Sequence, residues 1–204
     1  MKDLWERLEA WGTKVSAGSL KLRGGATEKK IAAAEKKMKV KFPPDFRESL
    51  LLHDGQEAEP GFDWMPGCSP LQPLEAIIER WKEERDIEEE YGNEDAEDDA
   101  EDDARLKAGM YLAPRIPIAG SPYWDGDNTY VDLAPGSKGK SGQIITFTTE
   151  CDLTVLGDSF RSTLERYVKM LEDGKLVWAP GYGVAPKKKG KWADHPAEQF
   201  AKMK

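Results

Sequence analysis

The stretch VKFPPDFRESLLLHDGQE, from Val40 to Glu57, decides the fold. Pro43 and Pro44 fix φ and lack an N–H, which suits a first helical turn whose amides are unpaired anyway. The helix they open buries Phe46 and Leu50, with Leu51 beside them, and stops at Asp54-Gly55. A second stretch, TYVDLAPGSKGKSGQIITF from Thr129 to Phe147, has two strands joined by a Gly/Lys-rich turn. Together the two stretches point to a binding module rather than an enzyme.

Upstream, Leu4, Trp5, Leu8, Trp11 and Val15 recur at helical spacing and predict an amphipathic first helix. Arg23-Gly24-Gly25-Ala26 breaks the chain. Thr27 then suits an N-cap for a helix with Ile31, Ala34 and Met38 on one face. Downstream, Leu74, Ile77, Ile78 and Trp81 mark a fourth helix. Strands are predicted at Arg115–Ile118, Asn128–Leu133, around Ile145 and Phe147, and at Leu153–Leu156. Phe160, Leu164, Tyr167, Val168 and Leu171 give a last helix that Gly174 ends. Helices followed by an antiparallel run of strands indicate the α+β class. One domain is expected over residues 1–178, with an acidic flexible insertion at about 88–104. A Gly/Pro/Lys-rich tail over residues 179–204 is expected to lie on the surface.

The formal net charge of −8 hides an uneven distribution. Residues 83–103 hold 14 Asp/Glu and one basic residue, Arg85, while the rest of the chain is net positive. Such a block repels itself, so a solvated loop is the plain expectation. The sharper one is an acidic lure that mimics phosphate before a basic partner. No apolar run is long enough to cross a bilayer, and the charged N-terminus lacks a signal-peptide core. Two cysteines, Cys68 and Cys151, are too few for a disulfide framework, so the expected compartment is the cytoplasm.

Several apparent motifs carry no chemistry. Ala134–Ser141, APGSKGKS, resembles a relaxed P-loop, but a strand follows where phosphate binding requires a helix N-terminus. His53 and His195 have no Cys or carboxylate at metal-ligand spacing, and His53 is placed at a helix end. Neither cysteine has a basic neighbour to activate it, so both are assigned to packing. Asp125–Asn128, DGDN, lacks the remaining ligands of a calcium loop. No catalytic residue, metal site or cofactor is predicted. Lys187–Trp192, KKKGKW, pairs lysines with an aromatic ring as single-stranded nucleic-acid binders do, but four lysines in a tail are weak support.

These residues together resemble the SUKH superfamily, in its branch of SMI/KNR-type cell-wall assembly regulators. The resemblance runs from about Leu4 to Leu171 and is carried by PPDFRESL with HDGQE, by PLEAIIERWKEER, and by DLAPGSKGKSGQII. Ser141 stands before Gly142 where relatives often carry tryptophan, and the acidic insertion is this chain's own. The resemblance implies helices around a mixed, mostly antiparallel sheet, and no enzymatic activity. Bacterial relatives bind and block toxins, often nucleases or deaminases, whereas long-armed fungal relatives link signalling kinases to wall synthesis. The short chain, without long fungal-type arms, favours a bacterial or compact version, and the leading expectation is an immunity protein with a cognate toxin as partner. The alternative is a regulatory scaffold binding several endogenous proteins.

Partner contacts are expected at Asp54 and Gly55, at Asp132, Lys138, Lys140 and Gln143 around the glycine turn, and at Trp64 and Trp124 as aromatic anchors. Glu97, Asp98 and Asp99 represent the acidic insertion. For Asp54, Gly55 and Asp132, capping and turn geometry are an equal alternative. No membrane or nucleic-acid partner is expected.

Overall fold

A computed structural model describes residues 1–57, 59–68, 70–92, 103–109, 111–121, 127–148, 153–192 and 195–203. Four helices come first: α1 (Lys2–Lys14), α2 (Glu28–Met38), α3 (Pro44–Leu52) and α4 (Leu74–Tyr91). Strands β1 (Arg115–Ala119), β2 (Asn128–Asp132), β3 (Gln143–Phe147) and β4 (Leu153–Gly157) follow, then α5 (Phe160–Glu172). The chain closes with β5 (Leu176–Ala179), β6 (Gly183–Pro186) and α6 (Pro196–Lys202). The class is α+β, as the helix-then-strand order predicts. The main sheet has the order β1-β2-β3-β4 and every pairing in it is antiparallel, rather than mixed.

Local chemistry sets the helix starts. Thr27 Oγ1 accepts from Lys30 N at 3.3 Å, and Pro44 occupies the first turn of α3. Glu35 closes the α2–α3 link by accepting from Phe42 N and the Lys41 ammonium, both at 3.0 Å. In the helical core Phe160, at the start of α5, is a hub. It touches Trp5, Phe46 and Trp64 with centroids 5.5–6.2 Å apart.

The sheet is covered on both faces, which explains strands that are buried at nearly every position. Alternation sends Ile116, Ile118, Val131, Ile144 and Leu156 to the helical core. Tyr130, Ile145, Phe147, Leu153 and Val155 form a second cluster under Leu106 and Tyr111. Pro117 is tolerated because β1 is an edge strand and its register shifts between Pro117 and Ala119.

Two expectations change. The acidic insertion does not begin at residue 88: α4 continues through Tyr91, because Glu84 and Arg80 are drawn into the structure and Arg85 reaches Tyr111 O. Residues 93–102 lie outside the described residues. The C-terminal segment is not a surface tail either. Its Ala197 and Phe200 are buried, Phe200 meets Tyr167 at 5.9 Å, and the Arg166 guanidinium sits 4.2 Å over the Phe200 ring. An aromatic ring able to enter the core outweighs the polar composition around it.

Glu84 is fully buried beneath the sheet's second face. Its Oε1 accepts from Tyr130 Oη at 2.9 Å and Arg80 Nε at 3.0 Å, while Oε2 is buried without a hydrogen-bond partner. Burial pushes its carboxyl up to about 7, against the opposing pull of Arg80. The folded chain thus holds this proton more tightly than an unfolded carboxyl titrating near 4.5. The resulting stabilisation is complete below that value and is lost as pH rises to about 7. Glu28 and Glu48, held low by Arg47 and by the N-terminal ammonium, act at lower pH. Denaturant unfolding of the wild type and Glu84→Gln at pH 5 and 7.5 should show the wild type losing ground relative to the variant as pH rises. The slope can reach about 1.4 kcal/mol per pH unit inside the window. A pH-independent difference between the two would refute this role for Glu84.

Candidate protein-binding face

The two marker stretches meet at one end of α3. A Cβ on Gly142, whose φ is +90°, would lie 3.1 Å from Pro43 Cγ, so the glycine turn rests on the proline-started helix. Asp45, in the first turn of α3, accepts from Arg161 N at 2.8 Å and thereby caps α5 together with Ser159 Oγ. Lys140 pairs with Asp158 in the turn before α5, and Arg161 pairs with Glu48 at 3.1 Å. Lys138 and Lys140 are exposed here, with Arg105 in the adjoining segment.

Asp132 and Gln143 form the internal frame of the turn. Asp132 Oδ1 accepts from Ala134 N at 2.9 Å, and Oδ2 accepts from Gln143 Nε2 at 2.9 Å. The carboxylate faces the guanidinium of Arg115, its cross-strand neighbour, with Nε 3.7 Å from Oδ1. Both members of this pair are buried, and burial depresses the arginine pKa while Asp132 opposes that shift. Arg115 also donates to Lys107 O at 2.7 Å and to Gly109 O. A buried charge pair of this kind persists only when its hydrogen-bonding capacity is largely used.

The glycines serve a backbone, not a phosphate. Gly136 N donates to Arg105 O at 2.8 Å and Lys138 N donates to Ala104 O at 2.9 Å. A Cβ on Gly136 would lie 2.1 Å from Leu106 O, and one on Gly139 would lie 2.3 Å from Arg105 O. The segment returning from the acidic block therefore docks on the turn by direct backbone approach.

His53, Asp54 and Gly55 sit at the other end of α3, about 13 Å away by helical rise. Asp54 Oδ1 accepts from Leu74 N at 2.8 Å and caps α4. Gly55 has φ +78°, and a Cβ there would lie 2.7 Å from the Gln72 carbonyl carbon. Gln56 ties the same junction together, donating to Leu20 O at 2.6 Å and accepting from Leu71 N at 3.0 Å. Asp54 and Gly55 thus fulfil the capping and turn alternative. The ring of His53 lies at the helix end, with Nδ1 3.1 Å from Arg23 O and its edge on Trp5.

The expected contact residues therefore separate. Asp132, Lys138, Lys140 and Gln143 share one turn, but only the two lysines are exposed. Trp64 is not a surface anchor: it is wholly buried and stacks on Phe160 at 5.7 Å with planes 14° apart. The irregular chain around it passes directly over the core, and burying an indole outweighs the lack of regular structure. Trp124, Glu97, Asp98, Asp99 and Cys151 lie outside the described residues. Cys68 is buried, and desolvation pushes its thiol up to about 12. Arg115, Glu84 and Tyr130 escaped the sequence reading. An arginine at the start of a predicted strand, opposite Asp132, was the signal available.

The arrangement defines an α+β scaffold whose marker side chains hold backbone and whose glycine turn presents cations. The chain belongs to the SMI1/KNR4 family (SUKH-1), which it matches over residues 25–166. It is similar to the cell wall assembly regulator SMI1 of Saccharomyces cerevisiae, at 24% identity over 205 residues covering 83% of this chain and 40% of that protein. The cell wall biosynthesis/cell cycle regulator smi1 of Schizosaccharomyces pombe is 27% identical over 190 residues, covering 87% and 37%. The glucan synthesis regulatory protein of Neurospora crassa is 24% identical, covering 84% and 38%. The chain thus spans less than half the length of these relatives. No described helix is long and apolar enough to cross a membrane.

Trp64→Ala should lower unfolding stability by about 3–5 kcal/mol through cavity formation. Gly136→Ala should also destabilise, because Leu106 O occupies the place of the new methyl. Thermal unfolding with the wild-type midpoint retained in either variant would contradict these placements.

Proposed function

We propose that the chain is a non-catalytic protein-binding module acting in the cytoplasm as a regulatory scaffold, in the manner of a cell-wall assembly regulator. The observation that carries this reading is the family match over residues 25–166, with relatives named as regulators of wall assembly and glucan synthesis. The site chemistry supports it. Asp45, Asp54 and Asp132 are each engaged by a backbone amide, and Asp132 also faces a buried guanidinium. The partner face is the turn carrying Lys138 and Lys140, joined to the start of α3. Its exposed cations suit acidic segments on the regulated proteins.

Neutralisation of a cognate nuclease or deaminase toxin is the second reading. It draws on the acid density of residues 83–103, which would steer a basic partner.

Affinity purification of the tagged chain from its native cells, followed by mass spectrometry, separates the two. Several substoichiometric endogenous proteins are expected, and their recovery should fall at least tenfold in the Lys138→Glu/Lys140→Glu variant. That variant should keep its stability within about 1 kcal/mol, since exposed ion pairs contribute little. A single stoichiometric partner bearing a toxin domain would overturn the scaffold reading.

A further inference from the structure

Beyond the segment matched by the family, the C-terminal elements build a concavity of their own. The end of α5, the β5–β6 hairpin and α6 enclose about 650 Å³. Trp192, Pro186 and Met203 supply apolar lining, and Lys187, Lys188, Lys189 and Lys202 supply ammonium groups. The lysine stems extend the apolar wall while their charged ends reach water. Trp192 is held in place, its indole N–H donating to Val184 O at 2.7 Å. Lys187 N donates to Lys175 O at 2.9 Å, fixing the lysine run against the end of α5.

These four lysines form no ion pair among the described residues. The carboxylates nearest along α5 are already engaged: Glu172 with Arg7 at 2.6 Å and Asp173 with Lys169 at 3.0 Å. Among the described residues the cavity thus sets these four lysines, outside any ion pair, beside a fixed indole. An aromatic or large aliphatic side chain fits such a lining, and carboxylates on either side of it fit the rim.

We infer that this concavity is a docking site for an acidic peptide segment of a partner protein, carrying one large apolar anchor residue. The chain's own acidic stretch is a poor occupant, because from residue 93 to 102 its apolar side chains are alanines alone. Nucleic acid fits less well, because Trp192 is the only aromatic side chain among the described lining residues, whereas single-strand binding stacks successive bases on several rings. The pocket residues, 174–203, lie outside the family match over 25–166, so the site does not depend on the scaffold reading.

The test is fluorescence anisotropy of the full chain with the fluorescein-labelled peptide DDEFEED. Saturable binding is expected, weakened at least tenfold when the peptide's Phe becomes Ala. A comparable loss is expected in Lys188→Glu/Lys189→Glu, whose exposed positions leave thermal stability unchanged. Lys138→Glu/Lys140→Glu should bind the peptide like wild type, which separates this site from the glycine-turn face. Binding should also weaken as salt rises from 50 to 300 mM. Absence of saturable binding, or indifference to the Lys188/Lys189 reversal, would overturn the proposal. Tighter binding of a ten-residue oligothymidylate, or capture by phosphatidylserine vesicles without peptide binding, would equally reject a peptide site.

Discussion

A helix start leaves amides without partners, and in this protein two such starts are capped from the two ends of a third helix. α3 is nine residues long. Asp45 at its beginning takes the amide of Arg161 in α5, and Asp54 just beyond its end takes the amide of Leu74 in α4. The strut fixes where both longer helices begin. With α5 placed, Phe160 enters the core and collects Trp5, Phe46 and Trp64 around it. With α4 placed, Glu84 and Arg80 reach under the sheet to Tyr130. The polar residues of the Val40–Glu57 stretch therefore act in registration more than in recognition.

Much of this is written in local chemistry, and that part was legible. Apolar spacing of 3.6 along α1, α2 and α5 and alternation along the strands follow from which face meets the core. Thr27 and Pro44 mark helix starts by effects confined to a single turn. What escaped was non-local. Trp64 sits in an irregular stretch, so nothing in its immediate sequence tells that Phe160, nearly a hundred residues on, offers it a stacking surface. α6 has few apolar residues, and its docking depends on Phe200 finding Tyr167 and Arg166. Arg115 looked like the polar end of a strand until its register with Asp132 was known. The candidate site was legible as a location, the glycine turn, but not in the division of labour between buried frame and exposed lysines.

The family relationship and the structure divide the molecule in the same way. The matched segment contains α3, α4, the sheet and the first half of α5, where the capping and ion-pair devices lie. The lysine-rimmed concavity belongs to the elements that follow. A shared framework can in this way be kept while surfaces are added at its margin, as expected when function resides in sites carried by a fold.

The double clamp around the acidic block has a consequence for how this protein can diverge. On one side α4 closes with Gly92 N bonded to Glu88 O at 2.9 Å. On the other, Ala104 and Arg105 are fastened to the glycine turn by backbone hydrogen bonds. For a flexible chain the cost of joining two fixed points grows only with the logarithm of length, about 0.6 kcal/mol per doubling. Gly136 and Gly139 thereby make the neighbouring segment a socket for variation: length and composition there can drift between lineages while the sheet beneath keeps its registration.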